Sequence, residues 1–178
     1  MSSPETHIAW IGLGSNLRSL AGPPVQTIEA ALLALGAIGE VLARSSLYET
    51  APVGMTDQPV FVNAVAALKT DDSPEAVLEK LLAIERDFGR DRRNSPPKGP
   101  RTLDLDLLLV GDLIANMPAL SLPHPALAER RFVLVPLVEI APELPHPVLH
   151  RTMRDLLSAL PDEGANRVDA VRILRARP

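Results

Sequence analysis

The chain has 178 residues and a mass of 19.2 kDa; 46% of its residues are hydrophobic and 22% charged, which suits one domain with a sizeable core and excludes wholesale disorder. With no cysteine there are no disulfides, thiolate metal sites or cysteine nucleophiles. A net charge of -4 argues against a general nucleic-acid binder, and no apolar run approaches the ~20 residues of a membrane span. The opening MSSPETHIAW lacks the basic start and apolar stretch of a secretion signal, so a cytoplasmic protein is expected.

Eighteen prolines punctuate the chain, so short and sharply bounded elements are expected. His7–Leu13 (HIAWIGL) reads as a first strand, closed by Gly14-Ser15-Asn16. Thr27–Leu35 carries apolar residues at helical spacing, with Gly36 as its stop. Val41–Tyr48 follows, and Val60–Leu68 (VFVNAVAAL) is a strand by its β-branched content. A second helix is predicted over Pro74–Phe88, with Ser73 as N-cap and Val77, Leu78, Leu81, Leu82 and Ile84 as its apolar stripe. Leu103–Val110 (LDLDLLLV) is another strand. Arg131–Ile140 is ambiguous: its β-branched residues favour a strand, while Pro136 favours a short helix or an edge. The order β, α, β, β, α, β matches the split βαβ pattern of ferredoxin-like α+β folds. From Pro161 onward the chain reads as an appended tail in which RVDAVRILRA is a candidate strand.

The most informative stretch is Gly89–Arg101, GRDRRNSPPKGPR. It sets Arg90, Arg92, Arg93, Lys98 and Arg101 against Asp91 alone, a local net charge of +4. Arginine forks and a lysine point charge on a Pro/Gly loop suit a polyphosphate, although a solvated basic loop has the same composition. Directly after it come Asp104 and Asp106. Strand alternation puts both on one face and Leu103, Leu105 and Leu107 on the other. Hard oxygen ligands of this kind suit Mg²⁺, which completes its shell with phosphates and water. A cationic loop leading into paired acids therefore points to a metal–nucleotide complex. The phosphates are not held by a P-loop, since G-x-x-x-x-G-K-[ST] is absent; the Gly12-Leu13-Gly14 start of a dinucleotide fingerprint fails at Leu17, and protein-kinase signatures are missing.

His124 is fixed between Pro123 and Pro125, which lowers the entropy lost on binding and favours a functional role. His146 and His150 have the spacing of a helical zinc pair, but Pro147 makes a turn the better reading. Phe61 and Phe132 could stack on a flat heterocycle while Asn63, two residues from Phe61, reads its hydrogen-bonding edge. Phe88, at the end of the second helix, reads as core.

Together these segments resemble the 6-hydroxymethyl-7,8-dihydropterin pyrophosphokinase family of folate biosynthesis. The likeness runs from Ile8 to about Leu160 and is carried by IGLGSN, S-x-Y-E-T-A-P-V-G, QPVFVNAV, IERDFGR, GPRTLDLDLLL, LPHP and RRFVLVPLVEIAPE. It implies a ferredoxin-like antiparallel sheet with helices on one or both faces and an added hairpin. It also implies transfer of the β,γ-diphosphate of ATP, the co-substrate, to a pterin hydroxymethyl group, with release of AMP. By the family pattern Asp104 and Asp106 hold two Mg²⁺ ions, Arg90 and Arg101 clamp phosphates, and Arg92 and Arg93 belong to a mobile catalytic loop. His124 and Arg130 would touch the nucleotide. Phe61 and Phe132 would sandwich the pterin, with Asn63, the Thr50 side chain and the backbone near Val53 reading its edge.

On this reading residues 1–160 are the pyrophosphokinase domain, and 161–178 are an extension packed on it or partly mobile. The expected partners are small molecules only, with no nucleic acid and no membrane, and the expected state is a monomer. Lys98 stands where many relatives carry an aromatic residue, the loop is one residue longer, Ala119 replaces an arginine of some members, and Phe61 replaces a common tyrosine. Gly89, Gly99 and three prolines bracket the basic loop, so it is expected to close on ATP. The alternatives are a ferredoxin-like RNA-binding module, which would stack bases on exposed aromatics, and a catalytically silent nucleotide sensor.

Overall fold

Alternation along four antiparallel strands divides the aliphatic residues into two cores, one on each face of a sheet. The computed structural model describes residues 6–94, 96–167 and 170–176. β1 (His7–Ser15) is followed by α1 (Pro24–Ala34), β2 (Glu40–Arg44), β3 (Leu47–Thr50), β4 (Phe61–Thr70), α2 (Pro74–Asp87) and β5 (Asp104–Val110). In the sheet β1 pairs with β5 on one side and β4 on the other; β4 in turn pairs with β2 at one end and β3 at the other. This is the split βαβ order expected from the sequence. The hairpin β6 (Ala115–Met117) and β7 (Leu120–Leu122) is separate from the sheet.

Ile11, Leu13, Ala64, Ala66 and Leu68 meet α1 and α2 through Ile28, Leu32, Val77 and Leu81. On the opposite face Trp10, Val65, Ala67 and Leu108 meet α3 (Arg131–Ile140) and α4 (Met153–Ala159) through Leu134, Leu137 and Met153. Helices therefore cover both faces. β8 (Val171–Arg175) adds an edge strand beside β3.

Two elements differ from their sequence reading, and a third was left open by it. The first helix begins at Pro24 rather than Thr27, because the second proline of Pro23-Pro24 is preset for the first helical turn. The stretch 41–48 is broken at Ser45-Ser46 into β2 and β3, where the Ser45 hydroxyl accepts from the Val65 amide and takes the place of a ladder carbonyl. Arg131–Ile140 is a helix. Buried Val133, Leu134 and Leu137 follow helical spacing, and their burial outweighs the one backbone hydrogen bond that Pro136 forfeits. The stretch His146–His150 is a turn: the His146 ring accepts from the amides of Val148 and Leu149 through Nδ1. Phe88 is half-buried against the first core.

The C-terminal half of α3 is fastened to β3 by one carboxylate. Glu139 accepts from the Ser46 amide and hydroxyl, each at 2.8 Å, and from the Tyr48 hydroxyl at 2.9 Å. Replacing it by alanine strips partners from groups on a buried strand. Glu139→Ala is therefore expected to lower the urea-unfolding free energy by about 1–3 kcal/mol; an unchanged midpoint would contradict the role given to these three bonds.

Candidate active site

The second face of the sheet opens, next to α3, into a cleft of about 270 Å³. Its floor follows from pairing register. Asp104 lies opposite Gly14 and Asp106 opposite Gly12, so the neighbouring strand places no side chain beside either carboxylate. Both acids line the cleft, while Leu103, Leu105 and Leu107 are buried in the first core. Thr50, Val53, Phe61 and Asn63 line it from β3, β4 and their connection. Arg90, Arg92, Lys98 and Arg101 come from the loop after α2, and His124, Arg130 and Phe132 from the segment that leads into α3. Of the residues singled out by sequence, Arg93 alone does not line the cleft; it is exposed on the loop.

The charges are distributed unevenly. Three guanidinium groups converge on Asp104: Arg101 Nε at 3.4 Å, Arg92 at 3.6 Å and Arg90 at 3.9 Å. Among the described residues no cation lies within ion-pair distance of Asp106. Burial and then the Asp104 charge push the Asp106 carboxyl up to about 6. Burial lowers the Arg90 pKa against the pull of Asp104. The Nε–H groups of Arg90 and Arg101 are buried and aligned with no acceptor among the described residues. Unmet buried donors of this kind cost about 1–3 kcal/mol each until an acceptor arrives. The arrangement is short of an anion at the arginines and of a cation at Asp106.

The ends of the basic loop are held by residues that the sequence reading did not single out. Glu85 on α2 is buried; it accepts both the Nε–H and an Nη–H of Arg92 at 2.7 Å and the Leu105 amide at 2.8 Å. The bidentate bond raises the Arg92 pKa. At the other end Asn16 Oδ1 accepts from the Arg101 amide at 2.8 Å, while the Arg101 carbonyl accepts from the amides of Asn16 and Leu17. Asn16 Nδ2 donates to Gln58, whose own amide donates to the carbonyls of Met55 and Lys98. One signal for Glu85 was present in the sequence: it falls four residues after Leu81, a charged side chain on the apolar stripe. Gly89 leaves α2 at φ +82°, the left-handed region that lets the chain turn sharply into the loop.

His124 accepts the Ala126 amide on Nδ1 at 3.2 Å, which leaves Nε2 to carry the proton of the neutral ring. Burial and the nearby Arg130 charge lower its pKa, so the neutral form prevails at pH 7. At the opposite end Asn63 Nδ2 donates to the Thr50 hydroxyl at 2.6 Å. A Cβ on Gly14 would stand 2.8 Å from Asn63 Oδ1, so only glycine leaves that amide in place. Arg101 sits 4.9 Å from the Phe61 ring centre and Arg130 5.7 Å from that of Phe132. A second cavity of about 440 Å³, lined in part by Leu107, Leu120 and Ser121, shares Arg92, Asp106 and His124 with the first.

The donor set fits Mg²⁺. Two hard carboxylates face one space, one of them with raised proton affinity that a divalent cation would relieve. Among the described residues no three His, Asp or Glu side chains form a closed cage.

Comparison with known proteins identifies the family. The profile of the 7,8-dihydro-6-hydroxymethylpterin-pyrophosphokinase (HPPK) family matches residues 10–142. The chain is 44% identical over 161 residues to the 2-amino-4-hydroxy-6-hydroxymethyldihydropteridine pyrophosphokinase of Pseudomonas aeruginosa, covering 89% of this chain and 95% of that protein. It is 38% identical over 164 residues to the folic acid synthesis protein fol1 of Schizosaccharomyces pombe, covering 91% of this chain but 22% of the longer protein. In structure it superposes on Plasmodium falciparum HPPK-DHPS A437G with a TM-score of 0.74 and 19% identity, across 97% of this chain and 45% of the other. That likeness is one of fold, and this chain spans less than half of the larger protein.

The raised Asp106 pKa has a sign that can be checked. Its folded value lies above that of an unfolded aspartate, so its contribution to folding is complete below about pH 4 and is lost as the pH rises through about 6. In the free protein Asp106→Asn is therefore expected to raise the melting temperature at pH 7 by about 3–6 °C and to leave it nearly unchanged at about pH 3.5. A destabilised variant at pH 7 would contradict the unpaired state of this carboxylate.

Proposed function

The chain belongs to the 7,8-dihydro-6-hydroxymethylpterin-pyrophosphokinase family, and on that premise we propose how its cleft passes the β,γ-diphosphate of ATP to the hydroxymethyl group of 6-hydroxymethyl-7,8-dihydropterin. The hydroxyl oxygen bonds to the β-phosphorus as the bond from that phosphorus to the α-phosphate oxygen breaks. AMP leaves with the bonding pair, and the hydroxyl proton passes to solvent. The observation that carries the reading is the pair of buried Nε–H groups on Arg90 and Arg101 that make no hydrogen bond to any described residue, beside Asp104 and Asp106.

Arg90 and Arg101 supply those donors to the phosphates, and Arg92 adds the guanidinium edge that Glu85 does not occupy. Arg93 stays outside, so of the two loop arginines Arg92 is the one assigned to phosphate. His124 donates from Nε2 and Arg130 adds charge on the same side. The second cavity takes the nucleoside, because it meets the first at Asp106, Arg92 and His124, where a triphosphate would cross between them. Asp104 and Asp106 would hold two Mg²⁺ ions, which would supply charge neutralisation of the triphosphate and a more acidic attacking hydroxyl.

Phe61 and Phe132 take the two faces of the pterin ring, while the Asn63 amide, the Thr50 hydroxyl and the backbone at Val53 read its edge. The protein's task is orientation and charge neutralisation; no side chain is required as a nucleophile. All these residues come from one chain, so a monomer suffices, and the use of ATP supports a cytoplasmic reaction. The RNA-binding alternative is disfavoured because helices cover both sheet faces, leaving the two phenylalanines inside a cleft rather than on an open surface.

Incubation with ATP, Mg²⁺ and the hydroxymethyl pterin is expected to release AMP, and EDTA to stop it. Asp104→Ala and Asp106→Ala are each expected to lower kcat by at least about 10³-fold with the fold retained; near-wild-type turnover in both would remove the metal assignment. Gly14→Ala should raise the KM for the pterin about tenfold through displacement of Asn63, with little change in the KM for ATP. An unaltered pterin KM would show that the Asn63 position is not part of recognition.

A further inference from the structure

We propose that the C-terminal segment is a strap that fixes both walls of the pterin slot, with Asn166 as its positioning residue. The inference rests on the reading that Phe132 and Thr50 face the pterin.

α3 begins badly by its own sequence. Its N-cap is Arg130, which makes no side-chain cap; the first turn carries no acid, and Arg131 adds a second positive charge at the positive end of the helix dipole. The missing cap comes from 35 residues further along. Asn166 Oδ1 accepts the Arg131 amide at 2.9 Å, and the Asn166 carbonyl accepts from Arg131 Nε. Its Nδ2 donates to the Glu129 carbonyl at 2.9 Å. One residue therefore grips the backbone on both sides of Arg130, the residue before Arg131 and two before Phe132. These two steps set where α3 starts and hence where the Phe132 ring lies.

The same segment then reaches the opposite wall. The Ala170 carbonyl accepts from the Ala51 amide at 3.1 Å, and β8 continues with Val171 opposite Thr50 and Arg172 opposite Glu49, with which it forms an ion pair. Thr50 is the residue that orients Asn63. A further ion pair, Arg175 to Glu29 at 2.5 Å, joins the end of the strap to α1. Every one of these contacts is made by residues beyond 142, where the family profile match ends. The pterin slot of this chain is thus braced by a segment outside the matched region.

Steady-state kinetics on full-length variants tests this, at a temperature where thermal melts show each to be folded. Asn166→Ala is expected to raise the KM for the pterin about tenfold while kcat changes less than about twofold. Asn166→Asp keeps the acceptor for the Arg131 amide and should bring the pterin KM back to within about threefold of wild type. Phe132→Ala is measured in parallel. If Phe132→Ala raises the pterin KM but Asn166→Ala does not, the strap has no positioning role, even if its loss lowers the melting temperature. If Asn166→Asp is as impaired as Asn166→Ala, capping of α3 is not the cause. If Phe132→Ala leaves the pterin KM unchanged, the placement of the pterin is itself wrong and the inference falls with it.

Discussion

Two carboxylates on one strand face, about 7 Å apart, repel each other by about 2 kcal/mol at the effective dielectric of a partly buried site. The rest of the cleft is arranged around that cost. Asp104 is neutralised by three arginines of the loop before it, whereas among the described residues no cation lies within ion-pair distance of Asp106, whose pKa is raised by burial and by the Asp104 charge. Such a site is unbalanced alone. It becomes balanced when divalent cations take the carboxylates and phosphate oxygens take the arginines, which is the charge pattern of a metal–triphosphate.

The basic loop is fastened at both ends. Glu85 anchors Arg92 and β5 to the end of α2, and Asn16 with Gln58 anchors Arg101, Lys98 and the 55–59 connection to β1. Between these anchors Arg93, Asn94, Pro96 and Pro97 are exposed. Asp91 shapes it locally by accepting from the amides of Arg93 and Asn94. Fixed roots with an exposed middle suit a loop that closes over bound phosphates.

Much of this was legible in the sequence because it depends on local periodicity. LDLDLLLV gives the strand, the acidic face and the buried face in one reading, and the +4 loop beside it gives the ligand class. What escaped depends on contacts distant in the chain. Asn16 looks like the end of a strand until its bonds across 42 and 85 positions are seen, and the cap of α3 by Asn166 crosses 35. Arg131–Ile140 stayed open for another reason: its β-branched residues pointed to a strand and Pro136 to a short helix or an edge, both local signals, while the helix there is decided by burial of Val133, Leu134 and Leu137. That Arg92 rather than Arg93 lines the cleft was likewise invisible locally, because Glu85 holds Arg92 there.

The central claim is that metal and nucleotide affinity meet at the two aspartates. Calorimetric titration of a non-hydrolysable ATP analogue, with and without Mg²⁺, measures this directly when wild type is compared with the Asp104→Asn/Asp106→Asn double variant. Wild type should bind at least about 100-fold more tightly with Mg²⁺ than without, and in the double variant that dependence should vanish. A double variant that kept the wild-type response to Mg²⁺ would contradict the account, since the metal would then be held by the nucleotide or by groups other than these carboxylates.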